Sequence, residues 1–191
     1  MTKQEVLEIF KKAEAYLEGH FVLTSGYHSP HYFQKSKVFQ YPEFNSKLAA
    51  GIIEKFKGKK IDVVLSPAVG AIVLGNEVAR QLNVRFIFAE RENGVMSIRR
   101  GFELNEGENV LVVEDIITTG GSVQEVIDML KKYPVNIAGV GYVIDRQSGA
   151  NFGVEQHALA EVEVIKFPPD EVPDWLNEIP ITKPGSRYLK S

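Results

Sequence analysis

Val110-Leu111-Val112-Val113-Glu114-Asp115-Ile116-Ile117-Thr118-Thr119-Gly120-Gly121-Ser122 is the stretch on which the reading of this chain turns. Its opening apolar residues do not alternate with polar ones, the mark of a strand buried on both faces. Open α/β sheets hold their ligands at the C-terminal ends of such strands. Here two carboxylates are read immediately beyond the strand, followed by two hydroxyls and two glycines. Ser122 and Glu125 have the spacing of a capping box opening a helix. Glycines let main-chain amides approach an anion, hydroxyls add donors, and a helix N-terminus turns its positive end inward, so Thr118–Ser122 forms a phosphate cradle. Glu114 and Asp115 would repel a phosphate. They suit ribose hydroxyls, which donate to ionised carboxylates, or a magnesium ion. The plainer alternative is an ordinary strand-to-helix turn with two solvated acids.

The flanking segments repeat the strand–helix rhythm. Ile61–Leu65, Val84–Ala89, Asn109–Val113 and Ile137–Ile144 read as buried strands. Helical periodicity occupies Ile72 to Leu82 and Ser122 to about Lys132, and Pro42 opens a helix that Gly58 closes. The expected class is α/β, a central mainly parallel sheet flanked by helices, in one domain over 1–191. Thr2 and Glu5 form a first capping box, and apolar period carries that helix from Val6 to Leu17, up to Gly19. Asn93-Gly94 within Glu90–Arg100 marks a charged hairpin, a flap over a site. After Phe167 come Pro168, Pro169, Pro173, Pro180 and Pro184, which predict irregular surface structure packed through Trp175. Other glycine patterns fail as phosphate motifs: Gly70 and Gly75 have P-loop spacing, but Asn76 stands where the lysine is needed.

The 191 residues are 44% hydrophobic and 25% charged, with 22 basic against 25 acidic side chains and net charge −3. That balance excludes a disordered or fibrous chain and offers no global attraction for nucleic acid or an anionic membrane. With no cysteine, disulfides, thiolate metal sites and a cysteine nucleophile are excluded. No apolar run is long enough to span a bilayer and the first residues lack a signal-peptide core, so the expected location is the cytoplasm. His20, His28, His31 and His157 show no metal-ligand spacing.

Glu114 to Ser122 resembles the 5-phosphoribosyl 1-diphosphate (PRPP) signature of type I phosphoribosyltransferases. Three further places narrow the likeness to the orotate phosphoribosyltransferase family. Phe21 to Phe33, with Ser25-Gly26 and Ser29-Pro30, resembles its base-site motif, Ser66-Pro67-Ala68-Val69-Gly70 its pyrophosphate loop, and Asp145-Arg146 the segment whose arginine meets orotate. Many members carry a lysine where this chain has Thr24, another where it has Gly70, and a longer basic catalytic loop where it has Glu90-Arg91-Glu92-Asn93-Gly94. The likeness is therefore to a short-loop branch, with Arg91, Arg99 and Arg100 as candidate cations for the leaving pyrophosphate, or as solvated hairpin charges.

The resemblance implies transfer of the phosphoribosyl group of PRPP to orotate. Glu114, Asp115 and Arg91 are then the catalytic residues, and Glu114, Asp115, Ile116, Ile117, Thr118, Thr119, Gly120, Gly121 and Ser122 hold PRPP. Thr118 and Arg146 meet orotate, Arg146 by a forked pair with its carboxylate. Its blander fate is an ion pair with Asp145 or a nearby acid. Tyr32 and Phe33 line the base site or belong to the core. Mg2+ is implied, bound mainly through PRPP, as is a homodimer in which residues 1–40 and the tail form a hood over the base site. Competing readings are a purine-base phosphoribosyltransferase and a non-catalytic sensor of PRPP with the same fold.

Overall fold

Thr2 starts the first helix by the reciprocal bonds its spacing predicts: its main-chain N–H donates to Glu5 Oε2 (2.6 Å) and the Glu5 N–H donates to Thr2 Oγ1 (3.3 Å). Helix α1 (Lys3–Lys12) is shorter than its apolar periodicity suggests. Glu14 adopts a left-handed φ of 50°, which ends the helix, and the chain re-enters as strand β1 (Tyr16–Val22). Tyr16 and Leu17 are thus strand residues, paired with Phe33 and Tyr32 of β2 (His28–Phe33). The computed structural model describes residues 1–23, 25–163 and 165–182. Thr24 and Pro184 lie outside the described residues.

A short helix α2 (Ser36–Phe39) leads to α3 (Pro42–Lys55), which opens on Pro42 as expected. Then come β3 (Val63–Pro67), α4 (Ile72–Leu82), β4 (Arg85–Glu92) and β5 (Val95–Ile98). The chain continues through β6 (Asn109–Ile117), α5 (Gly121–Leu130), β7 (Asn136–Asp145) and β8 (Gln156–Glu161), and finishes with α6 (Asp174–Asn177) and β9 (Ile181–Thr182). Six strands form one sheet in the order β5-β4-β3-β6-β7-β8. All its pairs are parallel except β4–β5, the hairpin turning at Asn93-Gly94.

Strand β6 shows why the sheet needs helices on both faces. Leu111 and Val113 join the cluster formed with α1, α3 and α4, whereas Val110 and Val112 join the cluster formed with α5. A strand pressed between two apolar layers has no use for alternation. The connections also fix the site. From β3 the chain steps outward to β4, and from β6 it steps the opposite way to β7, so a crevice opens between the C-terminal ends of β3 and β6, where such sheets take their ligands.

Beside this sheet lies a second one of three strands, ordered β2-β1-β9. It joins segments far apart in sequence: His20 pairs with Ile181, and His28 forms a bridge with Phe167. Residues 168–182, the described part of the tail, are mostly irregular, but Trp175 is not their anchor. Trp175 is half exposed and meets only the edge of Phe167, while Leu176 is fully buried.

Candidate active site

Two loops border the crevice. One follows β3 and contains Ser66 to Gly70, with the Ala68–Val69 peptide cis. The other follows β6. Here the structure corrects a boundary, because β6 runs on through Ile117, so Glu114 and Asp115 lie within the strand and not beyond it. Both are buried, Asp115 completely and Glu114 with 9% exposure. Ile116 and Ile117 spend their side chains on the core, one on each face of the sheet.

Burial determines the electrostatics of the acid pair. The Glu114 carboxyl is pushed well above the usual carboxylate range, first by loss of water and then by the negative charge of Asp115. Glu114 Oε1 accepts the Asp115 N–H at 2.8 Å. Asp115 Oδ1 accepts the Ile116 N–H and the Lys35 ammonium, the latter at 2.8 Å. Asp115 Oδ2 is buried with no partner among the described residues. A buried oxygen lacking a donor is a strong demand for one. Lys35, at the start of α2, carries no motif and was invisible in the sequence, since 80 positions separate it from Asp115.

The space around Oδ2 exists because residue 70 is glycine. A Cβ there would come 2.5 Å from Oδ2 and 3.3 Å from Lys35 Nζ. Gly70 thereby brings the loop after β3 against the acid pair.

Across the crevice, Thr118 and Thr119 are exposed, and Gly120 turns the chain at φ 78°, a left-handed conformation that favours glycine. A Cβ there would also stand 2.8 Å from that of Ala150. Gly120 caps α5, so the helix begins at Gly121 and the expected Ser122–Glu125 capping box does not form. Both side chains turn to Arg91. Its Nε donates to Glu125 Oε2 at 2.8 Å, and its Nη2 donates to Glu125 Oε1 at 3.0 Å and Ser122 Oγ at 3.1 Å. The leading amides of α5 lack intrahelical acceptors and face the loop, which suits an anion.

The other flap arginines are engaged with acids of their own hairpin. Arg100 grips Glu90 through two bonds of 2.9 Å, and Arg99 reaches Glu92 at 2.7 Å.

Arg146 comes to the crevice from the end of β7, its main-chain N–H donating to the Ile117 carbonyl at 2.9 Å. The expected alternative, a pair with Asp145, is not found, because Asp145 accepts from the Ser148 N–H and the Tyr142 hydroxyl. The Arg146 guanidinium lies 5.7 Å from the Phe33 ring centre and its buried Nε has no partner. Burial lowers its pKa. Phe33 unites both expectations: it packs edge to face with Phe10 of the core and at a tilt with Tyr16, and it also carries the arginine. Tyr32 packs on Phe21.

His28 and His31 serve the small sheet. His28 Nδ1 lies 2.6 Å from His20 Nε2, and His31 Nδ1 lies 2.8 Å from the Tyr16 hydroxyl. Among the described residues no cluster of three His, Cys, Asp or Glu could hold a metal ion, and no helix is long and apolar enough to cross a membrane.

The family model described as a phosphoribosyl transferase domain matches residues 44–157, the stretch that holds β3 to β7 and the acid pair. The orotate phosphoribosyltransferase of Caldanaerobacter subterraneus subsp. tengcongensis is 49% identical over 190 residues, covering 99% of this chain and 100% of the relative. That of Thermoanaerobacter sp. is 50% identical over 188 residues, covering 98% and 99%. The crystal structure of orotate phosphoribosyltransferase from Aeropyrum pernix superposes with a TM-score of 0.71 at 23% identity, over 82% of this chain and 93% of the other. The chain belongs to the orotate phosphoribosyltransferase family.

Proposed function

We propose that this protein transfers the phosphoribosyl group of PRPP to orotate, releasing pyrophosphate and forming orotidine 5′-monophosphate. The observation that carries this reading is Arg146: its half-buried guanidinium pairs with no acid among the described residues, and its main-chain N–H donates to the Ile117 carbonyl at the end of the strand that bears the acid pair. A planar anionic base laid beside the sugar would find a forked donor there.

Each residue then has a task. The amides of Gly121 and Ser122, with the hydroxyls of Thr118, Thr119 and Ser122, hold the 5′-phosphate. Glu114 and Asp115 accept from the ribose 2′- and 3′-hydroxyls. As the bond from C1 to the diphosphate oxygen breaks, electrons leave with pyrophosphate and positive charge spreads over C1 and the ring oxygen, as in other oxocarbenium-like displacements. The buried acids lie ready for that charge without having to reorient, and burial strengthens the attraction. N1 of orotate then bonds to C1 as its N–H bond breaks, and the departing pyrophosphate takes that proton. The Ser66–Gly70 loop faces the departing diphosphate, and the flap carrying Arg91 excludes water.

A magnesium ion would fit as a passenger on the diphosphate, since the described residues supply no cage of ligands. Asp115 Oδ2, buried and unpartnered, is the oxygen best placed beside it. Bound there, the ion supplies countercharge to the leaving group. We further propose that residues 1–191 act as one domain, with the β2-β1-β9 sheet as hood over the base, in a cytoplasmic homodimer that engages neither nucleic acid nor membrane. The compact two-face core and the pairing of β1 with β9 support the domain reading.

The deciding assay supplies PRPP and magnesium with orotate, adenine, guanine or xanthine in turn, following loss of the base and release of pyrophosphate. Consumption of orotate alone is expected. Use of a purine in its place would reassign the base, and PRPP binding without turnover of any base would make the protein a sensor.

A further inference from the structure

We propose that Lys35 is a diphosphate-binding residue, which neutralises Asp115 in the empty site and turns to the diphosphate of the bound substrate. This rests on the function proposed above. The argument begins with charge. A site that takes a diphosphate against the buried Asp115 carboxylate needs a cation between them. Arg91, Arg99 and Arg100 are each held by a glutamate. Arg146 lies over Phe33 and is assigned above to the base.

Lys35 is differently placed. Its Nζ contacts the completely buried Asp115 at 2.8 Å, yet its own side chain is 46% exposed. It also stands 3.3 Å from the point where a side chain at residue 70 would begin, so it occupies the gap between the acid pair and the Ser66–Gly70 loop. An ammonium carries three donors and no fixed plane. One donor is bound to Asp115, and among the described residues no other acceptor holds the head. A long flexible stem lets that head swing by a few ångströms toward a phosphate oxygen at the loop while staying near Asp115. The swing frees Asp115 Oδ1 for a ribose hydroxyl at the moment substrate charge arrives, so binding of the diphosphate and exposure of the acid are one event. Lys35 thereby reaches the leaving group from the connection between β2 and α2, a part of the chain outside both crevice loops.

The test uses Lys35→Met, Lys35→Gln and Lys35→Arg, with inorganic pyrophosphate in magnesium buffer as the probe. Calorimetric binding of pyrophosphate and its inhibition of turnover should both weaken about ten- to a hundredfold in Lys35→Met and Lys35→Gln. The KM for orotate should stay within threefold, and Lys35→Arg should recover most of the loss. Pyrophosphate affinity unchanged in a folded Lys35→Gln overturns the proposal. So does equal weakening toward orotate and pyrophosphate, which would make Lys35 a brace for Asp115. Should Lys35→Met fail to fold, Lys35→Gln, which keeps a hydrogen bond to Asp115, carries the test. Because calorimetry needs no turnover, a wild-type protein inactive on orotate would refute the function above while leaving the lysine's part in pyrophosphate binding separately measurable.

Discussion

The Arg146 main-chain N–H donates to the carbonyl of Ile117 at 2.9 Å, tying the end of β7 to the end of β6 just where the cradle begins. The guanidinium's position is thus fixed relative to the acid pair by backbone, and Phe33 supports its face.

Replacing Arg146 by alanine should therefore raise the KM for orotate about ten- to a hundredfold, the value of a forked charge-assisted pair. Steady-state kinetics should show the PRPP KM and pyrophosphate inhibition within threefold of the parent. An unchanged orotate dependence would remove the arginine from the base site. Arg146→Lys should recover little, because an ammonium cannot reproduce the planar fork.

The acid pair should reveal itself in rate more than in affinity. Asp115→Asn combined with Glu114→Gln is expected to lower kcat about a hundredfold or more while the PRPP dissociation constant changes less than tenfold, because the charge that the carboxylates oppose develops only as the bond breaks. Parallel losses in both quantities would reduce the pair to anchors for the ribose.

Arg91 spans from the flap to the start of α5, gripping Glu125 and Ser122. If the arginine serves the reaction, Arg91→Ala should cut kcat/KM for PRPP about ten- to a hundredfold, whereas Glu125→Gln, which loosens its grip, should stay within threefold. Equal losses from both substitutions would show the ion pair to be a strut holding the hairpin. Melting curves should move little in either case, since exposed pairs contribute about 1 kcal/mol or less.

Far from the crevice, Glu77 on α4 accepts two bonds of 2.8 Å from Arg80 and one of 2.7 Å from Gln81. The Arg80 guanidinium is the main cause that pulls its carboxyl from 4.5 down to about 2. A depressed acid stabilises the fold above its unfolded pKa and loses that contribution as the pH falls through the folded one. Glu77→Gln should thus cost about 1 kcal/mol at pH 7, allowing for screening around the exposed Arg80. That cost should fade between pH 4.5 and about 2. Urea unfolding of both proteins across that range is the check, and a difference that does not vary with pH would contradict it.

Much of the architecture was legible because local signals agreed with tertiary packing. Thr2 and Glu5, Pro42, the Asn93-Gly94 turn and the unalternating run of β6 each did what their chemistry favours. The errors have physical causes. Tyr16 and Leu17 extend a helical period, but pairing with β2 outweighs periodicity once Glu14 turns the chain. Polar Glu114 and Asp115 read as a strand's end, yet the β7 ladder continues to Ile117 because burial of those acids serves the site. Ser122 lost the cap of α5 to Gly120, whose left-handed conformation no sequence spacing announces. The β2-β1-β9 sheet and Lys35 depend on contacts between distant segments, which a one-dimensional pattern does not contain.

The proposed roles fall on separate pieces of chain: β6 and the start of α5 are assigned to the phosphorylated sugar, the end of β7 and Phe33 of β2 to the base. Under the roles proposed here, a lineage can retune which ring it accepts by altering the latter pieces while the donor grip stays untouched. A common scaffold with interchangeable acceptors is what such a partition permits.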